Sequence, residues 1–215
     1  MVKRILSKSQ MNTFLDCPYK WKKQYINKIK SKASYPMMRG IRIHEKIEKF
    51  YDAPEKSTQD PELENLFKFQ RRLTKDSPKE KYCKPIFKEL KMEDEELALK
   101  GIVDAVFINP KDDGVIVIDW KTGKYRPEKF DNYRFELAVY VELLKASGKV
   151  DNIKYWGIYF IDHDKLFFEE VKEEHIKKMY DIAESVRAGI NSGNYPATKN
   201  MWCKYCQFKK ECGAC

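Results

Sequence analysis

Hydrophobic and polar positions along this chain change period twice, from helical spacing to strand alternation and back. Near the start, Ser7 stands three residues ahead of Gln10, the pattern of a capping box, and predicts a short helix. Pro18 restarts the chain as a second helix through Trp21 and Tyr25, with Cys17 at the joint. After Gly40 the spacing predicts a helix from about Ile41 to Tyr51, and another over Leu63–Leu73 follows the turn-like segment Ser57–Pro61. Alternation then predicts strands over Pro85–Met92, Leu99–Ile108, Val115–Trp120, Ile153–Ile161 and Lys165–Val171. A helix over Tyr133–Ser147, stopped by Gly148, separates the third strand from the fourth, and a long one covers Glu173–Ile190. This order predicts an α/β fold, a mixed sheet flanked by helices with the two chain ends meeting. With no internal repeat or low-complexity linker, residues 1–215 read as one domain.

Composition adds a partner class. Lys and Arg number 42 against 33 acidic residues, a net charge of +9, which suits either a polyanion or simple solubility. The 13 Tyr, 12 Phe and 4 Trp offer stacking surfaces for bases beyond those needed in the core. No run of about 18 apolar residues occurs, so no membrane span is expected. The opening Met1-Val2-Lys3-Arg4-Ile5-Leu6-Ser7 turns polar too soon for a signal peptide, and a cytoplasmic location (the host's, if the chain is viral) is expected. In that compartment the cysteines at 17, 83, 203, 206, 212 and 215 are not expected to be disulfides, and four of them in the last thirteen residues point to metal.

The strands carry the chemistry. Asn109-Pro110-Lys111-Asp112-Asp113-Gly114 is turn sequence, and pairing Asn109 with Gly114 places Asp104 directly opposite Asp119 on one sheet face. Strand alternation puts Lys121 on the same face. Two carboxylates side by side in an apolar hairpin repel each other and lose hydration, which a hard divalent cation would relieve. Asp119 with Lys121 would otherwise be a surface ion pair. His44 lies on the helix after Gly40 with Glu48 one turn further on, and by itself reads more readily as a structural or solvated histidine than as a ligand. His163 and His175 read as surface residues.

The ordered set Gly40-x-x-x-His44, Gly101-x-x-Asp104, Asp119-Trp120-Lys121-Thr122-Gly123 and a later helix bearing Tyr140 resembles the RecB-like branch of the PD-(D/E)xK nucleases. AddB-type domains, phage exonucleases and the nucleases of CRISPR adaptation modules are the most similar groups. The resemblance runs from Ser7 to Cys212. It implies a restriction-endonuclease-like fold and a Mg²⁺- or Mn²⁺-dependent DNA nuclease. In that reading His44, Asp104, Asp119 and the Trp120 carbonyl hold the metal, and Lys121 serves the attacking water. The family's helix usually carries Gln-x-x-x-Tyr; here it reads Glu136-x-x-x-Tyr140, a departure that touches substrate contact. Relatives also bear a [4Fe–4S] cluster on one early and three late cysteines, a layout matched by Cys17, Cys203, Cys206 and Cys212. A module built from about residues 1–30 and 195–215 follows.

Alternatives stay open at this level. Cys203, Cys206, Cys212 and Cys215 would form a local zinc site, or the thiols would carry no metal. Lys8, Lys20, Lys22, Lys23, Lys28, Lys30 and Lys32, interleaved with Tyr19, Trp21 and Tyr25, together with Lys204, Tyr205, Lys209 and Lys210, make either a single-strand-binding surface or a solvated face. The implied activity is an exonuclease preferring single-stranded or frayed DNA. The rival is a non-catalytic or complex-dependent DNA-binding module of the CRISPR-adaptation type. Protein partners are unknown from sequence.

Overall fold

The computed structural model describes residues 4–52, 60–76 and 79–214; most of the turn expected at Ser57–Pro61 lies outside them. In chain order the elements are β1 (Leu6–Ser7), α1 (Lys8–Asp16), α2 (Pro18–Trp21, continued by a π turn at Lys22–Ile26), α3 (Tyr35–Asp52), α4 (Glu64–Asp76) and α5 (Glu80–Cys83). Then come β2 (Phe87–Asp94), β3 (Leu99–Ile108), β4 (Val115–Lys121), α6 (Phe130–Ser147), β5 (Ile153–Phe160), β6 (Lys165–Glu170), α7 (Glu173–Asn191) and α8 (Lys209–Cys212).

Local chemistry sets several of these boundaries. Ser7 and Gln10 form the expected capping box of α1. Gly148 closes α6 at φ +61°, a conformation that suits glycine. α3 starts a turn and a half earlier than expected, because Pro36 fits a first helical turn and Ser34 Oγ accepts the Met37 amide at 3.4 Å. Gly40 is therefore inside the helix, with Thr122 packed where a side chain would start. β5 stops at Phe160, and Ile161–His163 is a single 3₁₀ turn instead of the strand's end.

The six strands form one mixed sheet in the order β1-β3-β4-β5-β6, with β2 also on β3. β3 is antiparallel to β2 and β4; β4 is parallel to β5, and β6 returns antiparallel. Parallel neighbours require a crossover, and α6 supplies it. The expected turn is present: Asn109 N donates to Gly114 O at 2.8 Å, and the ladder runs Ile108↔Val115 to Ala105↔Ile118.

The important irregularity lies on one edge of β3. β4 occupies that edge at Ala105–Ile108, and β1 occupies it at Leu99–Lys100. Between them, among the described residues, Gly101–Asp104 have no strand beside them on that side. The sheet opens there.

Two cores sandwich the sheet. On one face Val106, Val117, Trp156 and Ile158 pack with α1, α6 and α7. On the other, Ala105, Phe107, Ile118, Trp120 and Tyr159 pack with α3 and α4. Trp120 sits edge-on to Phe69, Phe107 and Tyr159, with centroids at 5.9, 6.2 and 5.8 Å. The chain ends meet as expected: Tyr19 N donates to Pro196 O, Asn200 Nδ2 to Asp16 O, and Lys23 pairs with Glu211 at 2.6 Å. No helix among the described residues is long and apolar enough to cross a membrane.

Trp120 fills the core beneath the motif, so Trp120→Ala should destabilise the protein by about 3–5 kcal/mol in urea unfolding. A loss below about 1 kcal/mol would show that this face is not packed as described.

Candidate active site

The opening beside β3 is where the acidic residues gather. Asp104 is the first residue past the β3–β4 ladder, and its Oδ2 accepts the Trp120 amide at 2.8 Å, a hydrogen bond that replaces the next ladder rung. Asp119, also buried, faces the same opening from β4. His44 enters from α3: its Nε2 lies 3.1 Å from the Trp120 carbonyl, and its Nδ1 lies 3.6 Å from Asp104 Oδ1. Trp120 thus divides its roles, with backbone in the site and ring in the opposite core. A cavity of about 930 Å³ reaches all of these groups and is also lined by Tyr140, Gly101 and Lys121.

Glu89 joins them, a residue the sequence reading missed. It sits in β2 between the pairs Lys88↔Ala105 and Leu90↔Val103, and so across from Asp104. Its φ of +44° is unusual for a non-glycine residue in a strand. Its Oε1 lies 3.4 Å from His44 Nδ1, and ligand atoms of His44, Glu89 and Asp104 all fall within 4.8 Å of one another. Its only sequence signal was an acid in an alternating strand, and nothing in the turn at Glu95–Ala98 fixed the β2–β3 register.

Asp119 has different neighbours. Lys121 Nζ lies 2.8 Å from its Oδ2, although that oxygen accepts no well-aligned hydrogen bond, and Lys8 Nζ lies 3.4 Å from its Oδ1. Both lysines also reach Glu136 Oε2, at 2.8 Å from Lys121 and 3.0 Å from Lys8. Glu136 therefore bridges two ammonium groups and is not grouped with His44 and Asp104. Tyr140 is buried, with its ring 5.1 Å beneath Lys8 Nζ and packed against Gly101. Lys8 belonged to a basic stretch in the sequence reading; folding brings it into the site.

The charges explain one another. Burial, reinforced by Asp119, pushes the Asp104 carboxyl up. Burial also acts on Asp119, but Lys121 and Lys8 outweigh it and hold that carboxyl down. Burial pulls Lys121 down, yet Asp119 and Glu136 overcome it, so Lys121 enters as a firmly protonated ammonium suited to charge stabilisation rather than proton abstraction. For His44, burial is outweighed by the Glu89 hydrogen bond and the charges of Asp104 and Asp119, raising it to about 9. A protonated Nε2–H directed at the Trp120 carbonyl puts a proton where two potential metal ligands converge.

Cys17, Cys203, Cys206 and Cys212 all line a second cavity of about 270 Å³ between the chain ends. Cys17, Cys206 and Cys212 are free thiols, while Cys203 is disulfide-bonded, against the expectation that none of the cysteines is in a disulfide. Cys83 is buried apart from this cavity, and Cys215 lies outside the described residues. His163 is exposed as expected, but His175 packs on Trp156 at 5.5 Å instead of lying free on the surface.

A mixed sheet flanked by helices, opened beside a buried carboxylate pair, is the restriction-endonuclease-like architecture. The chain belongs to the PD-(D/E)XK nuclease superfamily, whose model matches residues 5–213. No curated protein matches the sequence. Among solved structures the chain is similar to the Eubacterium rectale protein named "Putative exonuclease", with TM-score 0.56, 15% identity and coverage of 98% of this chain and 94% of that one. It is also similar to SSO0001, at TM-score 0.47, 18% identity and coverage of 97% and 85%.

Metal ligation needs a neutral imidazole, whereas the metal-free protein holds His44 protonated at pH 7.5. Titration calorimetry with Mn²⁺ in two buffers of different ionisation enthalpy should therefore show release of about one proton or more. Binding without proton release would remove His44 from the ligand set.

Proposed function

We propose that this protein is a divalent-metal-dependent DNA nuclease, an exonuclease acting on single-stranded or frayed ends. The observation that carries the reading is the convergence of Asp104, Asp119, His44 and the Trp120 carbonyl on one opening in the sheet, with the Lys121 ammonium beside them. His44, Asp104, Asp119 and the Trp120 carbonyl would hold Mg²⁺ or Mn²⁺, with Glu89 in reach of the same place. A cation bound there would supply an acidified water and stabilise charge on a phosphate.

This chain's residues do the rest. The Asp104 bond to the Trp120 amide fixes one carboxylate, and the aromatic core under Trp120 fixes its carbonyl. Lys121 orients the water and offsets charge building on the phosphate. Tyr140 lines the pocket beneath Lys8, and Glu136 ties the two lysines together. Substrate preference is supported by exposed rings near the chain ends. Trp202 and Tyr205 are 46% and 74% exposed, each with a lysine over its face: Lys129 at 5.8 Å and Lys204 at 4.9 Å. Such pairs stack bases without reading sequence.

We further propose that Cys17, Cys203, Cys206 and Cys212 hold a [4Fe–4S] cluster that clasps the chain ends. Support comes from the shared cavity and from the chemistry of four thiols at Cys-x-x-Cys spacing. An iron–sulfur cube spaces its thiolates more widely than a single ion does, which suits sulfurs arranged around a cavity. The disulfide at Cys203 would have to open for this ligand set. The rival reading, a non-catalytic or complex-dependent DNA-binding module, draws on Glu136, whose carboxylate ties up Lys121 at 2.8 Å.

End-labelled single and double strands with Mn²⁺, with and without chelator, separate the two readings. Wild type should degrade single strands from an end, and Asp119→Ala should lower the rate by roughly a thousandfold or more in a protein that still folds, as read by circular dichroism. Undiminished cleavage by that variant refutes the site. For the cluster, anaerobically purified protein should absorb near 400 nm, and Cys17→Ala should remove the band. An unchanged spectrum in that variant excludes Cys17 as a ligand.

A further inference from the structure

We propose that Lys8 is a positioning residue of this site, paired with Glu136 so that a carboxylate at position 136 aims Lys121 without repelling the phosphodiester. The proposal rests on the nuclease reading and deepens it.

Lys8 is the first residue of α1, and its side chain crosses to α6 and β4. Its Nζ lies 3.0 Å from Glu136 Oε2 and 3.4 Å from Asp119 Oδ1, the same two carboxylates that Lys121 reaches at 2.8 Å each. The other Glu136 oxygen accepts from Asn12 Nδ2 at 3.4 Å. Glu136 is thus held by donors from α1 on one side and from β4 on the other, and cannot swing towards His44 and Asp104 without breaking them. The Tyr140 face beneath Lys8 fixes the ammonium from below. Lys8, with a side chain 23% exposed, lines the pocket where a substrate phosphate would meet it, and Glu136, at 15%, is its partner.

Charge decides what the pair does. Glu89, Asp104, Asp119 and Glu136 against Lys8 and Lys121 leave two negative charges when His44 is neutral, and one divalent cation cancels them. Without Lys8 the same site stays negative after the cation binds, and an incoming phosphodiester meets net repulsion at short range. A neutral amide at position 136 would not need Lys8. The two positions therefore act as one unit, and the presence of a lysine at position 8 follows from the glutamate at 136.

A double-mutant cycle over Lys8→Met and Glu136→Gln tests this. It reads melting temperature, kcat and KM on a labelled single strand with Mn²⁺, and binding of the same strand by fluorescence anisotropy with Ca²⁺ in place of Mn²⁺. Lys8→Met should weaken binding and raise KM by roughly tenfold or more, with a smaller fall in kcat. Adding Glu136→Gln should return both to within about threefold of wild type. Glu136→Gln alone should bind at least as tightly as wild type. A purely structural ion pair would move the melting temperature and leave KM and anisotropy unchanged, which overturns the proposal, as does a double variant no better than Lys8→Met. If Lys8→Met does not fold, Lys8→Gln replaces it in the cycle. If wild type does not cleave, the nuclease reading falls, and the anisotropy cycle still decides the role of Lys8.

Discussion

Two aspartates buried side by side are the constraint from which the rest of this structure follows. Like charges in a water-poor opening raise each other's energy, and neither Asp104 nor Asp119 can be there without compensation. The fold compensates them differently. Asp104 takes a backbone amide where a ladder bond would have been; Asp119 takes two ammonium groups. That asymmetry drives one carboxyl up and the other down, and leaves the protonated His44 as the cation beside Asp104 and Glu89.

The sheet's irregularity makes such a site possible. A continuous β3–β4 ladder would satisfy every backbone group and leave no opening. Because β3 passes from β4 to β1, Gly101–Asp104 border a cavity, and α1, which follows β1 directly, delivers Lys8 to the opposite wall. The opposite face is closed by aromatic rings around Trp120, so the motif's backbone is anchored by core packing rather than by a loop.

Local signals were legible in the sequence, and long-range ones were not. The Asn109–Gly114 turn fixed the β3–β4 register and with it the meeting of Asp104 and Asp119, because a short hairpin determines its own pairing. Strand alternation placed Lys121, and Gly148 marked the end of α6. Lys8 reads only as part of a basic stretch and Glu89 not at all, because each reaches the site through a pairing that no nearby residue specifies: the two-residue strand β1 for one, the β2–β3 register with its left-handed residue for the other. The early start of α3 was hidden by Pro36, which reads as a breaker inside a helix and as a starter in its first turn. Glu136 was legible as a departure, but its partners were not, since helix position alone does not say which charges face it.

An anomalous-difference map from a crystal of this protein soaked in Mn²⁺ decides whether the two aspartates share one cation. One peak is expected within bonding distance of His44 Nε2, an oxygen of Asp104, an oxygen of Asp119 and the Trp120 carbonyl. A peak held by His44, Glu89 and Asp104 alone, with Asp119 still bound between Lys8 and Lys121, would contradict it.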